Sequence, residues 1–368
     1  MIYLNNAATS YPKPAAVVKA VQRALVRPPE GQFRSGAAGE EAETSALLRE
    51  RLARLLGAAE PSRIYFTSGA TEALNMVIRG LCLEKSPVLA TEAEHNSVLR
   101  PLYNGGADSV GIVPCRKDGR VDIRAYEEKL KERPRAVFVN HCSNVTGAVQ
   151  DLGVLCGLAH NAGAIFIADL SQSAGAIPLC LQSEGVDIAV FTGHKSLWGP
   201  QGTGGFYIRP GLRLKPLLYG GTGKDSQRLR YDSDWEGYEV GTQNSPGMAG
   251  LLAGVTELLE TGVERIHEKE QKQMEQLFER LKAIQGLELY APEPPEGPLL
   301  SFNVAGIPAQ DTGYILSHSY GIITRVGWHC APLLKVHPQG SVRISPSYFT
   351  QDEELDILVQ ALTDLCGR

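Results

Sequence analysis

Val186-Asp-Ile-Ala-Val-Phe-Thr-Gly-His-Lys195 puts a lysine at the exit of a short apolar run. Val186 to Phe191 reads as a buried strand, and Thr192-Gly193-His194 reads as the turn that leaves it. Beyond the lysine, Gly202-Thr-Gly-Gly205 makes a tight connection into a second strand, Phe206-Tyr-Ile208. Ligands of open α/β sheets bind at such strand ends. Burial and nearby cations lower a lysine's pKa, and a neutral amine can join a carbonyl cofactor covalently. Taken alone, Lys195 reads more readily as an ordinary surface lysine, so its neighbours decide the matter.

Upstream, the strand-like run from Ala164 to Ala168 ends in Asp169 and continues Leu170-Ser171-Gln172. A buried carboxylate is the usual partner of the ring nitrogen of pyridoxal 5'-phosphate (PLP), which must stay protonated for the ring to accept electrons. The same acid could simply cap a turn. Earlier still, Arg63-Ile-Tyr-Phe66 is followed by Thr67-Ser-Gly-Ala-Thr-Glu-Ala-Leu-Asn75, a small-residue turn that opens a helix. Free amides and the dipole at a helix start suit a phosphate, although N-capping by Ser68 or Thr71 explains the same pattern. The three sites, each at a strand end, converge on one cofactor.

With these motifs in place, the chain resembles a fold-type I PLP-dependent transferase of the class V aminotransferase group, in its cysteine desulfurase and selenocysteine lyase branch. The resemblance covers nearly the whole sequence. It implies phosphate contacts from Ala70, Thr71, Thr192 and His194, ring stacking by His95, and contacts near the substrate and phenolic oxygen from Asn144 and Gln172. Asp169 matches the ring-nitrogen partner and Lys195 the cofactor-bearing lysine. Thr192 stands where serine is common, and its hydroxyl is retained. Gly241-Thr242 resembles the segment that reaches the partner subunit's phosphate, so a homodimer is implied.

Cys330, in Thr324-Arg-Val-Gly-Trp-His-Cys-Ala-Pro332, separates this branch from ordinary aminotransferases. Arg325 and His329 flank it as expected cations that favour thiolate, the form that attacks sulfur. Cys82, Cys142, Cys156, Cys180 and Cys366 lie in apolar runs and read as small buried hydrophobes, and Cys115 is ambiguous. Trp328 replaces a histidine common in the family. Arg325 and Arg343 are candidates for clamping a substrate carboxylate bidentately, although each alone reads as a surface ion-pair residue. The activity implied is conversion of L-cysteine to L-alanine with sulfur left on Cys330. His95 is the candidate handler of the thiol proton. Selenocysteine lyase, or another class V lyase or aminotransferase, is the alternative. A sulfur-acceptor protein, and sulfur mobilisation such as iron–sulfur cluster assembly, belong to the same implication.

Composition agrees and is not specific: 368 residues, 43% hydrophobic and 21% charged, describe an ordinary globular protein. A net charge of -5 offers no basic surface to nucleic acid. With no N-terminal apolar signal run and no bilayer-length span, no membrane is expected. Seven cysteines without metal-type pairing predict no metal and a reducing compartment, the cytoplasm.

Strand-like runs at Ile64 to Phe66, Val88 to Thr91, Val110 to Val113, Ala136 to Asn140, Ile165 to Asp169, Asp187 to Thr192 and Gly205 to Ile208 alternate with helical segments. That alternation predicts an α/β protein with a mostly parallel seven-stranded sheet in a large domain, residues 12–258. Residues 1–11 and 259–368 are expected to form a smaller α+β domain carrying the Cys330 loop. Its long helix is expected over Gly262 to Gln285 and its last helix over Gln351 to Leu365, where Thr350 and Glu353 have capping-box spacing. Strands are expected at Leu299 to Val304 and Val342 to Ser345, and a helix at Asp311 to Tyr320.

Overall fold

Strand and helix alternate from residue 64 to residue 192 of the computed structural model, which describes residues 1–27, 40–222, 227–231, 233–334 and 339–367. In chain order the first elements are β1 (Ile2–Tyr3), α1 (Ala15–Leu25), α2 (Glu40–Leu56), β2 (Ile64–Thr67), α3 (Ala70–Gly80), β3 (Leu83–Thr91), α4 (Asn96–Pro101), β4 (Ala107–Val113), α5 (Ile123–Leu130), β5 (Ala136–Asn140), α6 (Leu152–Asn161), β6 (Ile165–Asp169), α7 (Leu181–Glu184), β7 (Ile188–Thr192) and β8 (Gly204–Ile208). The rest are α8 (Ser245–Thr261), α9 (Val263–Lys282), β9 (Leu287–Leu289), β10 (Leu300–Val304), α10 (Ala309–Tyr320), β11 (Ile322–Ile323), β12 (Arg325–Gly327), β13 (Ser341–Ile344) and α11 (Asp352–Cys366).

Seven strands form one sheet in the order β2-β8-β7-β6-β5-β3-β4, and only β8 runs against its neighbours. Every residue of β5, β7 and β8 is buried, because helices cover both faces. Leu48, Leu52 and Leu56 of α2, with Leu251, Val255 and Leu258 of α8, belong to the core on one face. Leu74, Val77 and Ile78 of α3, with Val98 and Leu99 of α4, belong to the other. Each such side chain contributes about 1.5–3 kcal/mol by leaving water. A four-stranded antiparallel sheet, β12-β13-β10-β9, shares a separate core with Leu277 and Phe278 of α9 and Leu358 and Leu362 of α11. β1 pairs in parallel with β11, which ties the N-terminus to this second unit.

The expected elements are present with shifted ends. β3 starts at Leu83 and carries Pro87, tolerated because the register to β4 slips between Leu83 and Pro87. The long helix ends at Lys282, three residues early. The capping box of the last helix is made by Gln351 and Glu354, whose Oε2 accepts from the Gln351 amide at 3.0 Å. Thr350 is unavailable for it, since its hydroxyl accepts from the Ser347 amide at 2.9 Å. All seven cysteines are unpaired. Cys142 and Cys156 are buried as expected, and Cys180 and Cys366 partly so. Cys82 departs from expectation: it follows α3 in a left-handed conformation (φ 53°) that turns it out to solvent. No helix among the described residues is long and apolar enough to cross a membrane.

Glu270 of α9 is fully enclosed and one carboxyl oxygen, Oε2, has no partner. Burial pushes its carboxyl up to about 8, only partly offset by the Tyr348 backbone and Lys269. Between the ordinary value and pH 8 the folded state therefore binds more protons than the unfolded one, so this residue makes stability fall as pH rises. Glu270→Gln is expected to raise the melting temperature more at pH 8 than at pH 5. Scanning calorimetry at the two pH values checks it, and an equal shift at both would contradict the sign.

Candidate active site

Ala70, Thr71, His95, Asn144, Asp169, Gln172, Thr192, His194, Lys195, Arg325 and Arg343 all line one cavity of about 440 Å³. The sheet explains the convergence. β2, β6 and β7 run in the same direction and end at Thr67, Asp169 and Thr192, so their following turns open on one side.

The start of α3 is shaped by Gly69, whose φ of 154° and ψ of 175° suit only glycine. That corner points the first amides of α3 outward with no helical partner. Ser68 is held to Glu72 Oε2 through its amide and hydroxyl, at 2.7 and 2.6 Å. Thr71 Oγ1 meets Ser97 Oγ at 3.0 Å, and Ser97 Oγ meets His95 Nδ1 at 2.8 Å. The Ser97 amide also donates to His95 Nδ1 at 3.0 Å, which leaves Nε2 as the ring nitrogen available to a ligand. Burial, assisted by Lys195, Arg325 and Arg100 against the pull of Asp169, lowers His95 to about 4, so the ring is neutral.

Asp169 is 4% exposed at the end of β6. Its Oδ1 accepts from the amide and hydroxyl of Ser171, and no lysine or arginine pairs with it among the described residues. Thr192 lies at the end of β7, and Lys195 follows in the turn. Burial lowers Lys195 to about 8; Arg343 and Arg325 act the same way, while Asp169 and Cys330 oppose them. The His194 carbonyl accepts from Lys13 Nζ at 2.8 Å, Thr9 Oγ1 at 3.1 Å, and the Ser10 amide and hydroxyl. The segment Thr9 to Lys13 thus braces the turn that carries the lysine, a role sequence reasoning missed. Nothing in Thr9-Ser-Tyr-Pro-Lys13 itself signals that packing. Ser97, Ser171 and Asn140 were missed for the same reason.

Arg325 and Arg343 face each other in register on β12 and β13. Like charges opposite one another destabilise a sheet, and neither guanidinium has a carboxylate partner among the described residues. Arg343 is 1% exposed and donates Nη1 to the Asn144 carbonyl at 2.8 Å, leaving Nε without a partner. A carboxylate ligand would relieve both residues. Arg325 Nη2 also lies 3.6 Å from Cys330 Sγ.

One expectation changes. His329 is no cation beside Cys330: it is 4% exposed, and burial together with Arg343 and Arg325 lowers it to about 3, so the ring is neutral. Asn144 donates one Nδ2 hydrogen to the His329 carbonyl at 2.5 Å, and its Oδ1, buried without a partner, stays available to a ligand. Gln172 donates one Nε2 hydrogen to the Ala7 carbonyl at 3.0 Å, which holds its amide on the cavity wall. Thr242 is exposed and lines an adjoining cavity of about 200 Å³ that shares Ser68, Glu72 and Gly202 with the first. Its segment is held on the chain's own sheet edge by Glu239, which accepts from the Phe66 amide at 2.6 Å and pairs with Arg49 at 2.6 Å.

The unpartnered polar atoms test whether a cofactor fits. His194 Nδ1, Asn140 Oδ1, Asn144 Oδ1 and Arg343 Nε are buried without partners, and their residues line the same cavity. Such clustering is unusual unless a polar ligand completes the set. A helix start and a threonine for a phosphate, a carboxylate for a ring nitrogen and a lysine of lowered pKa for an aldehyde fit PLP.

A mostly parallel sheet with these groups at its strand ends defines a fold-type I PLP enzyme. The chain belongs to the class-V aminotransferase family, whose model matches residues 2–358, and whose members depend on PLP. It is 34% identical over 333 residues to a probable cysteine desulfurase of Methanothermobacter thermautotrophicus, covering 87% of this chain and 83% of the relative. It is 33% identical over 337 residues to a cysteine desulfurase of Pectobacterium atrosepticum, covering 87% and 82%. Among solved structures, the apo cysteine desulfurase of Thermococcus onnurineus superposes with a TM-score of 0.90 at 29% identity, covering all of this chain and 94% of the other. A cysteine desulfurase of Escherichia coli superposes at 0.88 and 28% identity, covering 98% and 94%.

Proposed function

We propose that this chain is a cysteine desulfurase that moves sulfur from L-cysteine to Cys330 and releases L-alanine. The observation carrying the role of Cys330 is its sulfur 3.6 Å from Arg325, one of two facing guanidiniums on the wall of the Lys195 cavity. Arg325 and Arg343 bind the substrate carboxylate and fix the amino acid's orientation. Lys195, lowered to about 8, holds a free amine often enough near neutral pH to take the Cα proton and return it. Asp169, Thr192, His194 and the start of α3 would hold PLP, which when bound would supply the electron sink for charge developing at Cα. His95, neutral and tied to Ser97, stays in place beside it and offers Nε2 to the substrate thiol. Cys330 attacks the substrate sulfur as thiolate. The S–S bond forms, the C–S bond breaks, and its electron pair stays with the substrate carbon, which is then protonated towards alanine.

Purified protein given L-cysteine, with and without reductant, should release alanine and sulfide in equal amounts when reductant is present. Alanine without sulfide, or neither, overturns the reading. Selenocysteine lyase is not favoured, since the relatives are named cysteine desulfurases. We place the protein in the cytoplasm, a reading supported by seven unpaired cysteines. The persulfide passes to a sulfur-acceptor protein at the open side, where Trp328 is half exposed.

Thr242 is proposed to complete the phosphate site of a second copy, in a two-fold homodimer. Support comes from its exposure and from its place on the adjoining cavity, outside the walls of the one that holds Lys195. Thr242→Ala is expected to weaken PLP retention about 10- to 100-fold, the loss of one charge-assisted hydrogen bond of about 1.5–3 kcal/mol. Equilibrium dialysis measures the retention and light scattering the mass. A fully active monomer would sink the proposal.

A further inference from the structure

The two residues at the tip of the Cys330 loop both adopt the left-handed conformation, His329 at φ 50° and Cys330 at φ 61°. Each such residue costs about 1–2 kcal/mol relative to the right-handed region, so the loop needs fasteners to hold this shape. Three are present. The His329 carbonyl accepts from Asn144 Nδ2 at 2.5 Å, and the Cys330 carbonyl accepts from the Asn96 amide at 2.8 Å, directly after His95. The third is the His329 side chain, which lies inside the protein with Nε2 3.0 Å from Ser341 Oγ at the start of β13. Its neighbour Trp328 is half exposed, so among the described residues of the loop the imidazole is the one buried ring.

We propose that His329 is a positioning residue for the sulfur-accepting step: its ring anchors the loop to β13 and thereby holds the left-handed turn that keeps Cys330 beside Arg325. The proposal rests on the desulfurase reading for its kinetic consequence only. Histidine suits the position because it tolerates the left-handed region better than most residues and reaches Ser341. Neutrality helps, since a charged ring could not lie beside Arg343 and Arg325. The anchor comes from the same sheet that supplies both guanidiniums, so nucleophile and carboxylate clamp share one rigid base.

The test uses the full-length holoprotein and two variants. His329→Asn tolerates the left-handed turn but cannot reach the hydroxyl, and Ser341→Ala keeps the ring but removes its partner. Deuterium uptake by mass spectrometry should rise at least fivefold at short times in the peptide spanning residues 325–334 and stay unchanged elsewhere. The kcat for L-cysteine should fall at least tenfold in His329→Asn and threefold in Ser341→Ala, with KM and PLP affinity within about twofold of the parent. His329→Gln, which can still donate to Ser341, should recover part of kcat. Unchanged uptake in 325–334, or uptake rising across the whole protein together with loss of PLP, overturns the assignment. If the parent protein does not turn over L-cysteine, the desulfurase reading fails while the exchange result still decides whether His329 anchors the loop.

Discussion

Lys195→Ala is expected to lower L-cysteine turnover by three orders of magnitude or more while leaving the fold intact. The loss combines the proton transfer at Cα, worth about 100- to 10,000-fold for a positioned group, with the covalent attachment of the cofactor. Borohydride treatment of the parent protein should bleach the PLP band and fix the cofactor on Lys195 in a peptide map. An adduct on any other lysine would remove Lys195 from the mechanism. The apoprotein carries a second signature. Lys195 is lowered from its ordinary 10.5 to about 8 by burial, so between these values the unfolded chain binds more protons than the folded one. This residue therefore costs stability below pH 8, and that cost is relieved as pH rises towards 10.5. Lys195→Met should raise the melting temperature of the apoprotein at pH 7 and lose the advantage near pH 10, which differential scanning fluorimetry can follow.

Cys330→Ala is expected to cut sulfide and alanine production from L-cysteine by two to three orders of magnitude, with PLP affinity unchanged. Cys330 contributes nothing to the cavity walls around Asp169, Thr192 and His194, so only sulfur abstraction loses its nucleophile. Selenocysteine turnover should fall much less, because selenium leaves carbon more readily. Mass spectrometry of the parent protein quenched after L-cysteine should find one added sulfur on the Cys330 peptide. Near-parent turnover of L-cysteine in Cys330→Ala would make the protein a simple lyase.

The two predictions differ in how much the sequence had already disclosed. Lys195 and Asp169 were legible because each closes a continuous apolar run, and the runs are continuous because β6 and β7 are covered on both faces. A strand end is a local feature: residues a few positions apart along the chain specify it. The same locality made the start of α3 readable from Ser68-Gly69-Ala70-Thr71. Element ends were less legible. Thr350 lost its capping role to Gln351 because a turn with Ser347, itself set by packing against α9, claimed its hydroxyl.

By itself, then, the sequence determined the parallel sheet, the lysine and carboxylate at its strand ends and the cysteine in its glycine-marked loop, since periodicity and turn chemistry act over a few residues. Tertiary structure alone decided how these groups are held and charged. Arg325 stands opposite Arg343 only through the pairing of β12 with β13, and Asn144 reaches the His329 carbonyl across 185 residues of chain. Thr9 to Lys13 fold onto the His194 carbonyl from the far end of the sequence. His329, a plausible cation beside Cys330 in the sequence, becomes a neutral buried anchor once β13 and two guanidiniums surround it. Charge state and hydrogen-bond commitment depend on desolvation by residues distant in sequence, and no local pattern carries that information.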